Sequence, residues 1–187
     1  MRTGAVVLCA GGGSRYRSAD GAHKLQTAFR GRPLASWAVS HALEAGMDET
    51  MVVTGAVDLS NLLPAGVIIV ENPQWREGIA TSLARGIDKA DELGLDAVVV
   101  GLGDQPLVPA AAWKAVAASR SEIAVATYWG DRRNPVRLAR SVWGELPRTG
   151  DAGARALMRA RPELVQEVPC DGDPRDFDTV DDTEPAR

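Results

Sequence analysis

The chain has 187 residues, of which 45% are hydrophobic and 25% are charged, and its formal net charge is −4. A chain of this length can bury one ordinary hydrophobic core, so we expect a single domain over residues 1–187. The acidic balance argues against duplex nucleic acid as a partner, because neutralising many phosphates needs a basic protein face. Small phosphorylated ligands stay open, since a few local donors can hold them.

Two further features bear on where the protein works. The longest apolar runs, such as residues 97–102, are too short to span a bilayer, and the N-terminal residues lack the pattern of a secretory signal peptide. Cys9 and Cys170 stand far apart and have no neighbours at metal-ligand spacing, so they indicate neither a disulfide framework nor a metal site. We therefore predict a cytoplasmic protein that binds neither nucleic acid nor a membrane.

Strand-like and helix-like patterns alternate along most of the chain. Continuous apolar runs indicate strands that are covered on both faces, and apolar residues at helical spacing indicate helices between them. This alternation predicts an α/β fold with a Rossmann-like doubly wound, mostly parallel sheet. After residue 128 the pattern loosens, which predicts a small C-terminal excursion from the sheet. The predicted strands are residues 4–9, 51–55, 67–70, 97–102 and 123–127, and the predicted helices begin near Pro33, Ile79 and Pro109.

The first predicted strand runs into a glycine-rich loop, LCAGGGSR, at residues 8–15. Consecutive glycines let the backbone approach a ligand closely, and their N–H groups can cradle an anion such as a triphosphate. Arg15 and Lys24 would supply cationic donors beside the loop. A tight turn without a ligand is the alternative. The dinucleotide-binding fingerprint fails because Tyr16 takes the place of its last glycine, and the Gly-Lys-Ser/Thr of a P-loop is absent.

A second candidate segment, residues 103–106, follows the predicted strand at 97–102. Ligands of open α/β sheets bind at the carboxyl ends of the strands. We therefore expect this segment and the glycine loop to face one crevice. Asp104 would expose a carboxylate there, unless it is a turn residue that caps the next helix.

The string LCAGGGSRY…HKL resembles the signature LxAGxGxR…K of the nucleotidyltransferase superfamily that includes the sugar-nucleotide pyrophosphorylases. The similarity is greatest to its molybdopterin cytidylyl- and guanylyltransferase branch, the MobA/MocA-like proteins. The resemblance implies a fold of the nucleotide-diphospho-sugar transferase type. Five further segments match in order and spacing, at residues 72–87, 103–108, 134–136, 150–158 and 176–182.

The resemblance implies an enzyme that moves a nucleoside monophosphate from an NTP to a phosphorylated acceptor, most readily molybdopterin cofactor, and releases pyrophosphate. Oxygens around the α-phosphorus repel an incoming phosphate, so catalysis of this kind depends on positioning and charge neutralisation. Mg²⁺ is the cofactor that we expect, because it is a hard ion that binds carboxylates together with phosphate oxygens. A molybdoenzyme or a chaperone is the protein partner that the resemblance implies.

The resemblance also assigns individual residues. It makes Asp104 the principal metal ligand and Asp178 the second, while the acidic run around Asp178 also fits a solvated tail. Lys24 and Arg15 would hold the triphosphate and, together with Asp104, form the predicted catalytic set. The predicted nucleotide-binding residues are Leu8, Ala10, Gly11, Gly12, Gly13, Arg15, Lys24, Gly78, Ser82 and Asp104.

Further details of the resemblance bear on the two substrates. Ala10 stands where guanylyl-transferring relatives tend to have glycine and cytidylyl-transferring relatives alanine, so CTP is favoured over GTP. Arg132, Arg133 and Arg155 lie in segments that close over the acceptor in the family, where they would bind its phosphate in bidentate fashion or be solvated. Trp75 is interpreted as core filling rather than as a base-stacking residue.

Three other functions stay open from the sequence. One keeps the reaction but uses a sugar phosphate or a phospho-organic acid as the acceptor, which the match of residues 150–155 to the pterin branch disfavours. A non-catalytic nucleotide-binding module is the second, although it would not need Arg15, Lys24, Asp104 and Asp178 together. A Rossmann oxidoreductase is the third, and the absent dinucleotide fingerprint disfavours it.

Overall fold

The computed structural model describes residues 1–13, 16, 21–179 and 182. Strands and helices alternate over most of that range, and the predicted elements agree closely with them. The strands are β1 (Thr3–Cys9), β2 (Ala28–Phe29), β3 (Arg32–Pro33), β4 (Glu49–Thr54), β5 (Ile68–Glu71), β6 (Ala97–Leu102), β7 (Ile123–Tyr128), β8 (Asp131–Ala139) and β9 (Val165–Pro169). The α-helices are α1 (Leu34–Glu44), α2 (Ile79–Glu92), α3 (Ala110–Ala117) and α4 (Ala154–Ala160).

Seven of the strands in the described ranges form one sheet, in the order β5-β4-β1-β6-β8-β7-β9. All neighbours are parallel except for the pairs that β8 makes with β6 and β7. The prediction of a mostly parallel α/β sheet is therefore confirmed. β1 lies inside the sheet between β4 and β6, where a continuously apolar strand is covered on both faces.

The C-terminal part is joined to the sheet more closely than the sequence predicts. β8 and β9 both belong to the main sheet rather than to a separate excursion. The first half of β8 is charged and exposed, whereas Val136 and Leu138 in its second half are buried beside β6. A search for apolar runs misses such a strand, because only the half that pairs with β6 carries core side chains.

Helices cover both faces of the sheet and bury two separate apolar cores. Leu83 of α2 and Met158 of α4 belong to one core, and Ala38 of α1 and Trp113 of α3 belong to the other. The strands β1, β4, β6 and β7 contribute to both cores, because successive side chains point to opposite faces. None of the helices in the described ranges is long and apolar enough to cross a membrane.

The carboxyl ends of β1 and β6 lie side by side and position the candidate site. Leu8 pairs with Leu102 near the ends of the two strands, and the N–H of Gly103 donates to the carbonyl of Leu8 at 3.0 Å. Gly103 has no room for a side chain, because a Cβ would collide with the thiol of Cys9. The glycine loop and residues 103–106 therefore emerge next to each other, as predicted.

Candidate active site

Two adjoining cavities open at this edge of the sheet. The loop cavity, of about 460 Å³, is lined mainly by residues 8–13, Lys24, Trp75, Gly78, Ser82, Asp104 and Asp178. The arginine cavity, of about 660 Å³, is lined mainly by Leu83, Val100, Val125, Arg132, Arg133, Val136, Arg155, Met158, Arg159 and Arg175. Leu8, Ile79 and Leu102 line both cavities, so ligands bound in the two would lie next to each other.

The three glycines of the loop have different neighbours. A Cβ at Gly12 would lie 2.8 Å from the ring of Trp75, so this glycine makes room for the protein's own tryptophan. Gly13 has a φ of +58°, and a Cβ there would lie 3.2 Å from Nε2 of His23, so conformation and packing both favour glycine. A Cβ at Gly11 would meet nothing within 4 Å. Packing within the protein therefore accounts for Gly12 and Gly13 but not for Gly11, which leaves space beside its backbone for a ligand.

Lys24 joins two carboxylates that are distant in the chain. Its Nζ donates to Oδ2 of Asp104 at 2.7 Å and to Oδ1 of Asp178 at 3.0 Å. The side chains of the three residues, in that order, are 12%, 20% and 29% exposed, so water screens these ion pairs only in part. Burial alone would lower the pKa of the Lys24 ammonium, but the charge of Asp104 and hydrogen bonds to both carboxylates outweigh burial and raise it. Lys24 is therefore charged at the point where both carboxylates converge.

A buried aromatic residue brings Asp178 to this point. Phe177 is 1% exposed, and its ring packs edge-to-face on that of Phe29 with centroids 4.8 Å apart. Its N–H also donates to the carbonyl of Asp104 at 3.0 Å. Phe177 thus anchors this segment, and the side chain of Asp178 beside it is only 29% exposed, so Asp178 does not lie in a solvated tail. Sequence reasoning missed Phe177, for which the signal is a single apolar residue between two acids.

Gln105 ties the same C-terminal segment to the loop after β6. Its Nε2 donates to the carbonyl of Pro174 and to Oδ1 of Asp176, both at 2.9 Å, and its Oε1 accepts from Nδ2 of Asn134 at 3.2 Å. Burial and the negative charge of Asp104 raise the pKa of Asp176 above its ordinary value. Asp176 therefore lies in the negative field of Asp104, while its own carboxylate accepts a hydrogen bond from Gln105.

Two of the predicted nucleotide-binding residues, Gly78 and Ser82, lie at the start of α2. Gly78 has a φ of +106°, and a Cβ there would collide with the carbonyl of Gly150. Ser82 lines the loop cavity, but its Oγ accepts from Nδ2 of the buried Asn72 at 2.9 Å. Asn72 also donates to Oγ1 of Thr81 at 2.9 Å. Asn72, which the sequence did not single out, therefore fixes this wall of the cavity.

Two other side chains of the loop cavity have a mixed environment. Trp75 packs partly against the core that contains Leu83, but it also lines the cavity, with the guanidinium of Arg76 4.3 Å above its ring. Core filling therefore describes only part of this side chain. Ala10 lines the cavity although it is 2% exposed, and a Cβ at Gly55 would lie 2.9 Å from its methyl group.

The structure brings together every predicted site residue that it describes. Arg15 lies outside the described residues. The residues that line the loop cavity are Leu8, Ala10, Gly11, Gly12, Gly13, Lys24, Gly78, Ser82, Asp104 and Asp178.

The carboxylates of Asp104 and Asp178 fit a divalent cation that is shared with phosphate. Within the part of the chain that the structure describes, no cluster of three or more His, Cys, Asp or Glu side chains could hold a metal by itself. An all-protein cage is not required, since Mg²⁺ is usually held by one or two carboxylates and completed by phosphates and water. The two carboxylates already converge on one cation, the ammonium of Lys24, which shows that their oxygens face a common point.

The arginine cavity combines an apolar floor with a cationic rim. Its floor consists of Leu83, Val100, Val125, Val136 and Met158, and its rim of Arg132, Arg133, Arg155, Arg159 and Arg175. The first three rim arginines are those named by the resemblance. The other two were missed, because arginines on a helix or in a loop carry no distinctive pattern. A cavity of this composition suits a ligand with an apolar body and an anionic group.

The rim arginines differ in their partners. Arg132 pairs with Glu167 at 2.7 Å, Arg133 with Asp131 at 3.7 Å and Arg175 with Asp173 at 2.8 Å. Arg155 and Arg159 have no carboxylate partner among residues 1–13, 16, 21–179 and 182. These two side chains are therefore the guanidinium groups most available to an anionic ligand.

Comparisons with known proteins place the chain in a family. Residues 5–167 match the family model of the MobA-like NTP transferase domain. The chain is 28% identical over 194 residues to the nicotine blue oxidoreductase of Paenarthrobacter nicotinovorans. The alignment covers 94% of this chain and 92% of that protein.

Solved structures show the same architecture. Rv0371c from Mycobacterium tuberculosis H37Rv superposes with a TM-score of 0.84 at 29% identity, covering 97% of this chain and 94% of that chain. Its complex with manganese superposes with a TM-score of 0.80 at 28% identity, covering 97% and 96%. A nucleotidyl transferase from Methanothermobacter thermautotroptrophicus has a TM-score of 0.80 at 25% identity, covering 97% and 94%.

Proposed function

The chain belongs to the family of MobA-like NTP transferase domains, and on this premise we propose that it transfers a nucleoside monophosphate from an NTP to molybdopterin cofactor and releases pyrophosphate. CTP is the proposed donor. The proposed reaction forms a bond between the acceptor phosphate and the α-phosphorus, and it breaks the bond between the α-phosphorus and the pyrophosphate.

The observation that carries this proposal is the cluster of Lys24, Asp104 and Asp178 beside the glycine loop. Transfer between two phosphates needs cationic groups on the triphosphate and charge neutralisation where the new bond forms. Asp104 and Asp178 would hold a divalent cation, Mg²⁺ in this proposal, which supplies that neutralisation. A similar protein forms a complex with manganese, which supports a divalent metal.

The glycine loop and Lys24 would hold the triphosphate. Lys24 carries its charge on a flexible four-carbon stem, so its ammonium can turn from the two carboxylates to phosphate oxygens. Arg15 is proposed as the second cation on the triphosphate. The nucleobase would lie between the loop and the start of α2, where Gly78 and Ser82 would line its pocket and Ala10 would limit the room for a purine.

The arginine cavity is the proposed acceptor site. It adjoins the loop cavity through Leu8, Ile79 and Leu102, so an acceptor phosphate there would lie beside the nucleotide. The apolar floor suits a flat ring system, and Arg155 or Arg159 would bind the attached phosphate. A sugar phosphate presents hydroxyl groups on all sides, for which an apolar floor offers no hydrogen-bond partners. These features favour molybdopterin over a sugar phosphate.

The test is a pyrophosphate assay on the purified protein. Each of CTP, GTP, ATP and UTP is incubated with Mg²⁺, with and without molybdopterin cofactor. We expect release of pyrophosphate that depends on the acceptor and is fastest with CTP. Release with a sugar phosphate in place of molybdopterin would move the proposal to the alternative acceptor, and absence of NTP binding would contradict nucleotidyl transfer altogether.

A redox function is the second candidate. It is favoured by the similarity to nicotine blue oxidoreductase over almost the whole chain and by the apolar floor of the arginine cavity, which would also accept a planar dye. Hydride transfer has no need of a carboxylate pair beside the glycine loop. Transfer of hydride from NADH or NADPH to an added planar dye, at a rate unchanged by Asp104→Asn, would support this candidate, whereas loss of pyrophosphate release in that variant supports nucleotidyl transfer.

A further inference from the structure

His23 connects the glycine loop to the segment that carries Lys24. The N–H of Leu25 donates to Nδ1 of His23 at 3.3 Å, and Nε2 lies 3.0 Å from the carbonyl oxygen of Gly11. A backbone N–H can only donate, so Nδ1 carries no proton and Nε2 must be the protonated nitrogen that donates to Gly11. Partial burial lowers the pKa of His23 below its ordinary value, which is consistent with this neutral ring.

The bond to Gly11 constrains the orientation of one peptide group of the loop, the one between Gly11 and Gly12. In a trans peptide the C=O and the following N–H point in opposite directions. Since His23 holds the carbonyl of Gly11, the N–H of Gly12 is turned away from His23. In the same way, the N–H of Ala56 donates to the carbonyl of Ala10 at 3.1 Å. This bond turns the N–H of Gly11 away from Ala56.

The N–H groups of Gly11 and Gly12 have no acceptor among the described residues. Both residues line the loop cavity, where an anion would supply the missing acceptor. A glycine-rich segment has little intrinsic preference between peptide orientations. The contact with His23 is therefore a restraint that chooses one orientation before a ligand arrives, and restraints of this kind reduce the ordering cost of binding.

We propose that His23 is a positioning residue for the nucleotide, which through its bond to the carbonyl of Gly11 orients the N–H of Gly12 toward the triphosphate. This inference rests on the proposed function, because the ligand is the NTP of that reaction. His23 itself contacts no reacting atom in this assignment. Substitution of His23 should therefore weaken NTP binding more than it lowers turnover.

Two substitutions separate the two bonds of the His23 ring. In His23→Gln the side-chain amide can reach Gly11 as Nε2 does, but it loses the bond to Leu25. In His23→Asn the shorter side chain can still accept from Leu25, as asparagine does at helix starts, but it cannot reach Gly11. His41→Asn on α1, which lines neither cavity, is the matched control.

The experiment measures the Kd of CTP and of GTP in the presence of Mg²⁺ by calorimetry, and the Tm of each variant. We expect His23→Asn to raise the Kd of the tighter nucleotide by about three- to tenfold, as loss of one neutral hydrogen bond does. We expect His23→Gln to stay within about twofold of the parent Kd, even if its Tm falls through loss of the bond to Leu25.

The remaining outcomes are decisive as well. Equal Kd values for the parent, His23→Asn and His23→Gln would overturn the inference while leaving the proposed function intact. Equal weakening in both variants would overturn it too, because the ring and not its bond to Gly11 would then matter. If the parent protein binds neither nucleotide, the proposed function fails and the inference fails with it.

Discussion

The loop cavity and the arginine cavity are built by different means. The loop cavity is formed largely by backbone, through glycines whose neighbours or φ angles leave no room for a side chain, and by a cluster of paired charges. The arginine cavity is formed mainly by side chains that project from the strands β6, β7 and β8 and from the helices α2 and α4, with Arg175 from a loop. Substitutions can therefore change the arginine cavity with little effect on the backbone, whereas the loop cavity tolerates few of them.

This difference suggests that the two cavities respond differently to substitution. In a binding site made of backbone groups, a single substitution disturbs the whole site. In a site made of side chains, a single substitution changes one contact. Function belongs to such sites rather than to the fold. We therefore expect substitutions at the loop cavity to lower activity with every combination of NTP and acceptor. Substitutions at the arginine cavity should change the KM for the acceptor alone.

The largest effect is expected for Asp104→Asn. The change keeps the shape of the side chain but removes the charge that would retain the metal, so turnover should fall by about 10²-fold or more. NTP affinity should change much less, since the glycine loop and Lys24 remain. Turnover, NTP affinity and Tm are measured together, with Asp88→Asn on the outer surface of α2 as the control. A parent-like turnover per folded molecule would show that Asp104 is only a turn residue.

Lys24→Ala tests the other charge of the loop cavity. It removes the ammonium proposed to bind the triphosphate, so the Kd of the NTP should rise by about tenfold or more. Lys24→Arg, which keeps the positive charge, should lie between the parent and Lys24→Ala. Calorimetric titration with CTP and Mg²⁺ measures all three proteins. An unchanged Kd in Lys24→Ala would restrict Lys24 to a structural ion pair with Asp104 and Asp178.

On the acceptor side, the double substitution Arg155→Ala and Arg159→Ala should raise the KM for molybdopterin by about tenfold, because two unpaired guanidinium groups are lost. The Kd for the NTP should stay at its parent value. Arg132→Ala is the comparison variant, and its effect should be smaller because Arg132 is already paired with Glu167. A joint loss of NTP affinity in the double variant would mean that the two cavities do not act separately.

The smallest effect is expected for Ala10→Gly. The parent should bind CTP better than GTP, and the substitution should reduce that preference by about three- to tenfold, since a single methyl group in a pocket discriminates only modestly. Competition between the two nucleotides in one binding assay gives the ratio directly. A parent protein that prefers GTP, or a ratio that does not change, would remove Ala10 from the base pocket.

Much of the fold could be predicted from the sequence because its central strands have a clear apolar pattern. β1 and β6 are continuous apolar runs, and an apolar run of this kind identifies a strand inside a parallel sheet. β8 could not be predicted in the same way, since it begins with charged residues and becomes apolar only at Val136. Its place in the sheet depends on pairing with β6, which is tertiary information.

The candidate site shows a similar division. The resemblance identified Lys24, Asp104 and Asp178 and thereby the residues that meet in space. It did not indicate that Lys24 pairs with both carboxylates, or that Phe177 holds them together. Contacts of this kind join residues far apart in the chain, so no local pattern reports them. Gly12 has a further structural reason that the sequence did not indicate, because a Cβ there would collide with the ring of Trp75.

The central claim is that the two cavities form one active site in which an NTP and a phosphorylated acceptor react. The most direct measurement uses CTP labelled at the α-phosphorus, Mg²⁺ and molybdopterin cofactor, with mass spectrometry of the product and a parallel assay of pyrophosphate. We expect the labelled phosphorus to appear in a product joined to the acceptor, in an amount equal to the pyrophosphate released. Labelled CMP without any joined product, or no consumption of CTP by a protein that binds it, would show that the two cavities do not carry out this transfer.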